Sequence, residues 1–265
     1  MCPWFSMRGS AGEGVDGLSA ESIIELAKAY DAHEAVDGVG DTFRRRARIL
    51  QSMWRSARGY EAGEHRGRRL GSRLLMPWAQ TSLANYLTDT VRSVVRAEVL
   101  DPRRSVGKLY GKPRIFCDLL SSQPLCFNLF GELQQDLPLA TDVLRDITER
   151  RVAEVTAIEF EHSPGRGDPD YLGDRSAFDI YVEFLTPAGG SGFIGIEVKY
   201  HEDLKGKAAG HKALYDQRAD EMGCFRPECR AVLHEMPLQQ VWRDHLLAGR
   251  VRQKDDFEDG FFVFL

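Results

Sequence analysis

Two carboxylates and a lysine in the C-terminal half have the types and spacing that suit metal-assisted hydrolysis. Asp179 lies in the apolar segment Ala177 to Phe184, and Glu197 and Lys199 lie in the next apolar segment, Ile194 to Tyr200. Because side chains alternate along a strand, Glu197 and Lys199 are expected to share one face, opposite the apolar residues. Carboxylates beside one ammonium group can hold a hard divalent cation next to a group that stabilises negative charge.

An earlier segment, Val155 to Glu161, supplies further carboxylates. Alternation predicts that Glu159 and Glu161 share a face, while Thr156, Ile158 and Phe160 are buried on the other.

The third acidic position stays open among three glutamates. Glu161 ranks first, because turn-forming residues 163–165 follow it and sites tend to be built where strands end. Glu159 and Glu132, the latter on a predicted helix, are the rivals.

This arrangement resembles the PD-(D/E)XK nuclease superfamily, whose signature is an acidic residue on one strand of a hairpin and Glu-x-Lys on the next. The matching residues are Asp179, Glu197 and Lys199, and the Gly-rich stretch Thr186 to Gly192 suits the hairpin connection. From about Phe43 onward the sequence is similar to those of a bacterial restriction-endonuclease-like branch. The similar segments are residues 49–55, 120–131 and 242–247.

The resemblance implies an α/β fold: a restriction-endonuclease-like core with a central mixed sheet flanked by helices, plus a helical N-terminal extension. It implies that Asp179, Glu197 and Glu161 bind Mg²⁺, with Mn²⁺ as a substitute, and that Lys199 orients the attacking water or offsets charge on the phosphate. The implied activity is a magnesium-dependent deoxyribonuclease, an endonuclease of restriction or phage defence. The expected partner is double-stranded DNA, and a homodimer would supply two active sites.

Three alternatives remain at this level. A solvated antiparallel sheet also alternates apolar and charged residues. A catalytically silent nuclease-like module would bind nucleic acid or a partner protein without needing Asp179, Glu197 and Lys199 together. A carboxylate-pair glycosidase has no standard use for Lys199. A second acidic-x-Lys triplet, residues 203–205, lacks the strand pattern and is interpreted as background or a loop near the substrate.

After the third strand the pattern predicts a helix from Lys207 to Met222, closed by Gly223, with Gln217 as a residue that contacts the site. A strand over residues 231–233 is predicted to lead through Pro237 into a helix that ends at Gly249 and packs Trp242 and His245 into the core. The apolar ending, residues 261–265, predicts a last strand and suggests a short or truncated member of the group.

The N-terminal half carries an excess of positive charge. Residues 41–114 include seventeen basic and six acidic side chains, a net +11, whereas the whole chain carries −5 and the remainder therefore −16. An Arg-rich stretch is suited to hold phosphates through counterion release. The alternative is that these arginines form solvated helix faces or internal ion pairs.

Periodicity predicts helices over residues 22–32, 42–58 and 81–99, with a loop over residues 58–71. A strongly apolar helix over residues 119–133, capped near Ser121 and Ser122, is expected to pack on the sheet. The resulting division is a disordered N-terminus at residues 1–17, a basic helical region at 18–114 and the nuclease core at 115–265.

The chain shows no membrane or secretion signal. No basic start is followed by an apolar run, and no segment is long enough to cross a bilayer. The five cysteines lack the CxxC spacing of a zinc or disulfide framework, which favours a reducing cytoplasm.

Overall fold

A computed structural model describes residues 19–37, 42–202, 204 and 210–265. The segment expected to be disordered, residues 1–17, lies outside these ranges, as do positions 203 and 205 of the second acidic-x-Lys triplet. The chain forms two compact units, the first of residues 1–81 with 117–120 and the second of residues 82–116 with 121–265. The domain boundary predicted at residue 114 rests on the change in net charge along the chain and not on packing, and it stays a prediction.

The helices are α1 (Ala20–Ala29), α2 (Phe43–Ala57), α3 (Trp78–Ser82), α4 (Asp89–Val95), α5 (Pro102–Ser105), α6 (Arg114–Cys117), α7 (Ser122–Gln135), α8 (Leu137–Ile147), α9 (Ala213–Met222), α10 (Arg230–Leu233) and α11 (Gln239–Lys254). The strands are β1 (Ala62–His65), β2 (Arg68–Leu74), β3 (Glu154–His162), β4 (Phe178–Leu185), β5 (Ser191–Glu197) and β6 (Asp259–Phe264). None of the helices in the described ranges has the length and apolar character needed to cross a membrane.

In the first unit, α1 and α2 bury a small core that includes Ile23, Ala27 and Ile49. The prediction of a loop over residues 58–71 is wrong. Strand β1 lies within this range, and its antiparallel partner β2 begins within it and extends to Leu74. The hairpin turn falls at Arg66 and Gly67, which both have positive φ. Neither the short β1, Ala-Gly-Glu-His, nor β2, with three arginines in seven residues, shows the apolar alternation that predicts a strand.

Several arginines of the basic stretch have structural roles inside this unit. Arg48 lies buried and donates to both carboxylate oxygens of buried Asp37, at 2.6 and 2.8 Å, and to Ser72 Oγ at 2.8 Å. Buried Arg55 donates to the carbonyl oxygens of Gly71 and Tyr60 at 2.8 and 2.6 Å. For Arg48 the structure supports the internal ion-pair alternative, whereas Arg55 is buried against backbone carbonyl groups.

The predicted helix over residues 81–99 is interrupted. The chain leaves the helix after α3, Leu83 adopts φ +51, and a new helix begins at α4, where Thr88 Oγ1 accepts a hydrogen bond from Val91 N at 3.2 Å. The N-cap threonine explains the restart, since its side chain satisfies a free backbone N–H group. The helix then continues as a π-helical turn, Arg96–Leu100.

The second unit contains a four-stranded mixed sheet in the order β3-β4-β5-β6. Strands β3, β4 and β5 are antiparallel neighbours, and β6 lies parallel to β5. The hairpin between β4 and β5 closes where predicted, with Thr186 N donating to Gly190 O at 2.8 Å and Gly189 at φ +87. The mixed sheet flanked by helices confirms the predicted α/β fold class.

Both faces of the sheet are covered, so the solvated-sheet alternative does not hold. On one side Phe160 stacks on Phe127 of α7 with ring centroids 4.2 Å apart. On the other, Tyr181 and Phe193 share a buried core with Trp242 of α11. Thr156 is exposed rather than buried, because a bulge between residues 155 and 157 shifts the register of β3.

Four of the C-terminal predictions need correction. Residues 231–233 lie in helix α10 and not in a strand, and α11 continues past Gly249 to Lys254. His245 is exposed, whereas Trp242 is buried as expected. Strand β5 ends at Glu197, before the predicted Tyr200. Helix α9 ends as predicted at Gly223, which adopts φ +66, and residues 207–209 of the predicted helix lie outside the described ranges.

Candidate active site

Asp179 and Glu197 meet at one end of the sheet. The pairing of Ile180 with Ile196 sets the register of β4 and β5, and this register brings the preceding Asp179 beside the following Glu197. Val198 N donates to Asp179 Oδ2 at 2.8 Å, so the backbone just beyond β5 fixes the orientation of this carboxylate.

Glu197 and Lys199 share a face, as the alternation predicts, and Lys199 Nζ donates to Glu197 Oε1. The pair is well covered, with 7% of the Glu197 side chain and 17% of the Lys199 side chain exposed. The C-terminal residue positions both, since Leu265 N donates to Glu197 O at 2.9 Å and Lys199 N donates to Leu265 O at 2.8 Å. The residue that follows the parallel strand β6 therefore holds the backbone of the Glu-x-Lys segment in place.

Of the three candidate glutamates, Glu161 is the one that interacts electrostatically with Asp179. The charge of Asp179 acts on Glu161, whereas Glu159 is exposed and binds His162 Nδ1 at 2.8 Å. Glu132 accepts a hydrogen bond from Thr88 at the start of α4. The backbone of Glu161 adopts φ +51, a costly conformation for a residue with a side chain, and such strain is often found at functional sites.

The carboxylates repel one another in a buried site. Burial, followed by the charge of Glu197, raises the pKa of Asp179 to about 7. Burial also raises the pKa of Glu161, with a further contribution from Asp179. The pKa of Glu197 is raised by burial in spite of the opposing effect of Lys199. Burial alone would lower the pKa of Lys199, but Glu197 and the other acids outweigh it and raise this pKa.

Helix α11 adds two polar side chains that the sequence reasoning missed. Gln240 Nε2 donates to Glu197 Oε1 at 2.5 Å. Asp244, one turn later, is buried, and its Oδ2 has no hydrogen-bond partner among the described residues. Burial and then the charge of Glu197 raise the pKa of Asp244 well above its usual value. Gln217, the glutamine expected beside the site, is exposed and donates to Glu221 at 2.9 Å.

One signal for Asp244 was present in the sequence. It occupies the stripe of α11 that otherwise buries Trp242, Leu247 and Val251. An aspartate in an apolar stripe is costly to bury and therefore suggests a partner or a functional role. The predicted stripe runs through His245 instead and does not include Asp244.

The residues present fit a hard divalent cation. Four carboxyl groups with raised pKa values, those of Glu161, Asp179, Glu197 and Asp244, interact electrostatically, and Lys199 donates a hydrogen bond to one of them, Glu197. A divalent ion would relieve this repulsion and would occupy carboxylate oxygens such as the unpartnered Oδ2 of Asp244.

Acids from two strands beside one lysine define a class of sites that supports metal-assisted hydrolysis. The family model described as the PD-(D/E)XK nuclease superfamily matches residues 37–265, and the chain therefore belongs to that superfamily. Its members are generally nucleases that use divalent metal ions. No curated protein and no solved structure shows a significant match to the chain.

Proposed function

We propose that this protein is a magnesium-dependent endonuclease that hydrolyses phosphodiester bonds of double-stranded DNA, with Mn²⁺ as a substitute ion. The observation that carries the proposal is the convergence of Asp179, Glu197 and Lys199 at the end of β4 and β5, within a chain of the PD-(D/E)XK superfamily. A role in restriction or phage defence rests on the similarity of three sequence segments to a restriction-endonuclease-like branch alone.

In this proposal Asp179 and Glu197 hold the metal ion, and Glu161 and Asp244 complete the acidic surroundings. A bound magnesium ion would polarise the scissile phosphate and lower the pKa of a water molecule. Gln240 keeps Glu197 in place through its hydrogen bond to Oε1. These residues supply binding and orientation, which is most of what a phosphodiester substrate requires from a protein.

Lys199 is assigned to charge stabilisation rather than to proton abstraction. Because Glu197 and the neighbouring acids raise its pKa, Lys199 stays protonated at neutral pH and has no free electron pair to accept a proton. When a metal ion engages Glu197, the ammonium group becomes available to donate to a phosphate oxygen or to orient the attacking water.

The proposal also includes the cellular compartment and the assembly of the protein. Four cysteines in the described ranges are free, Cys117 and Cys126 buried and Cys224 and Cys229 exposed, which supports a reducing cytoplasm. A homodimer would place two such sites on the two strands of a duplex. The glycosidase alternative has no use for Lys199, and the silent module has no need of the acidic cluster.

The test is incubation of circular and linear DNA with the protein in Mg²⁺, in Mn²⁺ and in chelator. Lys199→Gln removes the charge and should reduce the rate on the order of 100- to 1000-fold. Lys254→Gln is the matched control, because Lys254 pairs with Asp170 at 2.6 Å on the far end of α11.

We expect wild type and Lys254→Gln to nick circular DNA only with metal, and Lys199→Gln to be nearly inactive. Cleavage of linear DNA from its ends alone would make the enzyme an exonuclease. Cleavage of RNA but not DNA would change the substrate. If wild type binds DNA without cutting any nucleic acid, the silent-module alternative replaces this proposal.

A further inference from the structure

A second group of potential metal ligands lies in the chain that follows β5. His211 precedes α9, Asp216 lies in the first turn of α9, and His234 ends α10. One ligand atom from each of these residues lies within 4.8 Å of the other two. Neither the nuclease signature nor the proposed reaction makes use of them.

The two imidazoles converge on one carboxylate. His211 Nε2 lies 2.8 Å from Asp216 Oδ2, and His234 Nε2 lies 2.9 Å from Asp216 Oδ1. The imidazole rings stack, with centroids 3.9 Å apart and planes 28° apart. The hydrogen bonds from the two histidines outweigh the effect of burial and lower the pKa of Asp216, so its carboxylate is charged at neutral pH.

The three ligand groups lie at a spacing close to that of a metal site. Zinc bonds to nitrogen and oxygen measure about 2.0 to 2.2 Å, so ligand atoms of a tetrahedral site are about 3.3 Å apart. Small rotations of the three side chains reach that spacing.

We propose that His211, Asp216 and His234 bind one divalent transition-metal ion of the zinc type. Two imidazoles and one carboxylate suit zinc, whereas magnesium prefers oxygen ligands throughout. The three side chains are 24 to 35% exposed, which leaves an entry path and an open position for water.

The ion would strengthen the attachment of a segment that packs on the core through partly buried residues such as Phe225 and Leu233. None of residues 223–235, which connect α9 to α11 through α10, is buried. His234 is attached to α9 through Asp216, and its ring lies 5.0 Å from that of buried Trp242 in α11. Because α11 also carries Gln240, an ion at this position would stabilise the helix that contacts Glu197.

The test is a zinc titration of the full chain after treatment with chelator and in the presence of saturating Mg²⁺. We expect one zinc ion per chain. His211→Gln and His234→Gln retain a group that can donate to Asp216 but is a poor zinc ligand, and each should weaken zinc binding by at least about 100-fold. His245→Gln removes an exposed imidazole of α11 outside the cluster and should leave binding unchanged.

Asp179→Asn separates this site from the acidic one, because it disrupts only the latter and should still bind zinc. Trypsin supplies a second readout, since Arg230, followed by Ala231, lies in the connecting segment. Zinc should slow cleavage there in wild type and not in His234→Gln. The proposal is overturned if wild type binds no zinc, if both histidine variants bind it as tightly as wild type, or if Asp179→Asn abolishes binding.

Discussion

Replacing Asp179 with asparagine should stabilise the metal-free protein, and the gain should grow with pH. The pKa of this group is 3.8 in an unperturbed chain and about 7 in the folded protein. A carboxyl group with a raised folded pKa contributes full stability only below pH 3.8, and this stability is lost as the pH rises through about 7. Asparagine never ionises, and its amide oxygen can still accept the hydrogen bond from Val198 N.

These two pKa values give the size of the effect. The raised pKa of Asp179 disfavours the folded state by roughly 2 kcal/mol at pH 5 and roughly 4 kcal/mol at pH 8, relative to the unfolded chain. Since Asp179 and Glu197 titrate together, these figures describe the pair as much as the single residue. The difference in unfolding free energy between variant and wild type should therefore increase by about 2 to 3 kcal/mol between pH 5 and pH 8.

Urea denaturation in chelator at both pH values measures this difference. Asp146→Asn on the exposed surface of α8 is the control, because it removes the same formal charge away from the site. A difference between Asp179→Asn and wild type that stays constant from pH 5 to pH 8 would refute the electrostatic account of the site. So would an equal pH dependence in the control.

Two further predictions concern other residues. Glu161→Gln should weaken Mg²⁺ binding measured by calorimetry by about 10-fold or more, whereas Glu159→Gln on the same strand should not, because Glu159 binds His162 instead; equal effects would remove Glu161 from the site. Arg48→Met should lower the unfolding free energy measured in urea by about 3 to 5 kcal/mol, because it leaves Asp37 buried and unpaired, and Arg48→Met combined with Asp37→Leu should recover much of this loss; no recovery would contradict that explanation.

The sequence was most informative where local alternation and the final packing agree. Asp179, Glu197 and Lys199 could be placed together because the first two lie in short apolar strands joined by a recognisable hairpin and Lys199 follows two residues after Glu197. The hairpin β1–β2 could not be predicted, because neither strand shows apolar alternation and the hairpin is held by contacts such as that of Arg55 with Gly71.

The rest of the site depends on packing between distant parts of the chain. Gln240 and Asp244 reach Glu197 only because α11 packs against β5 and β6, and no local pattern specifies that contact. The predicted apolar face of α11 included His245 and not Asp244, because an aspartate does not fit an apolar stripe. The turn-forming residues 163–165 mark the end of β3, but they do not specify the left-handed backbone of Glu161.

The proposed nuclease activity requires a divalent ion bound between Asp179 and Glu197. Calorimetric titration with Mg²⁺ at pH 7 tests this requirement most directly. Binding should displace part of a proton from Asp179, which two buffers of different ionisation enthalpy would reveal, and the displacement should vanish at pH 8.5. Wild type should bind Mg²⁺ with this signature, and Asp179→Asn and Glu197→Gln should not bind it. Equal Mg²⁺ binding by wild type and both variants would contradict the account.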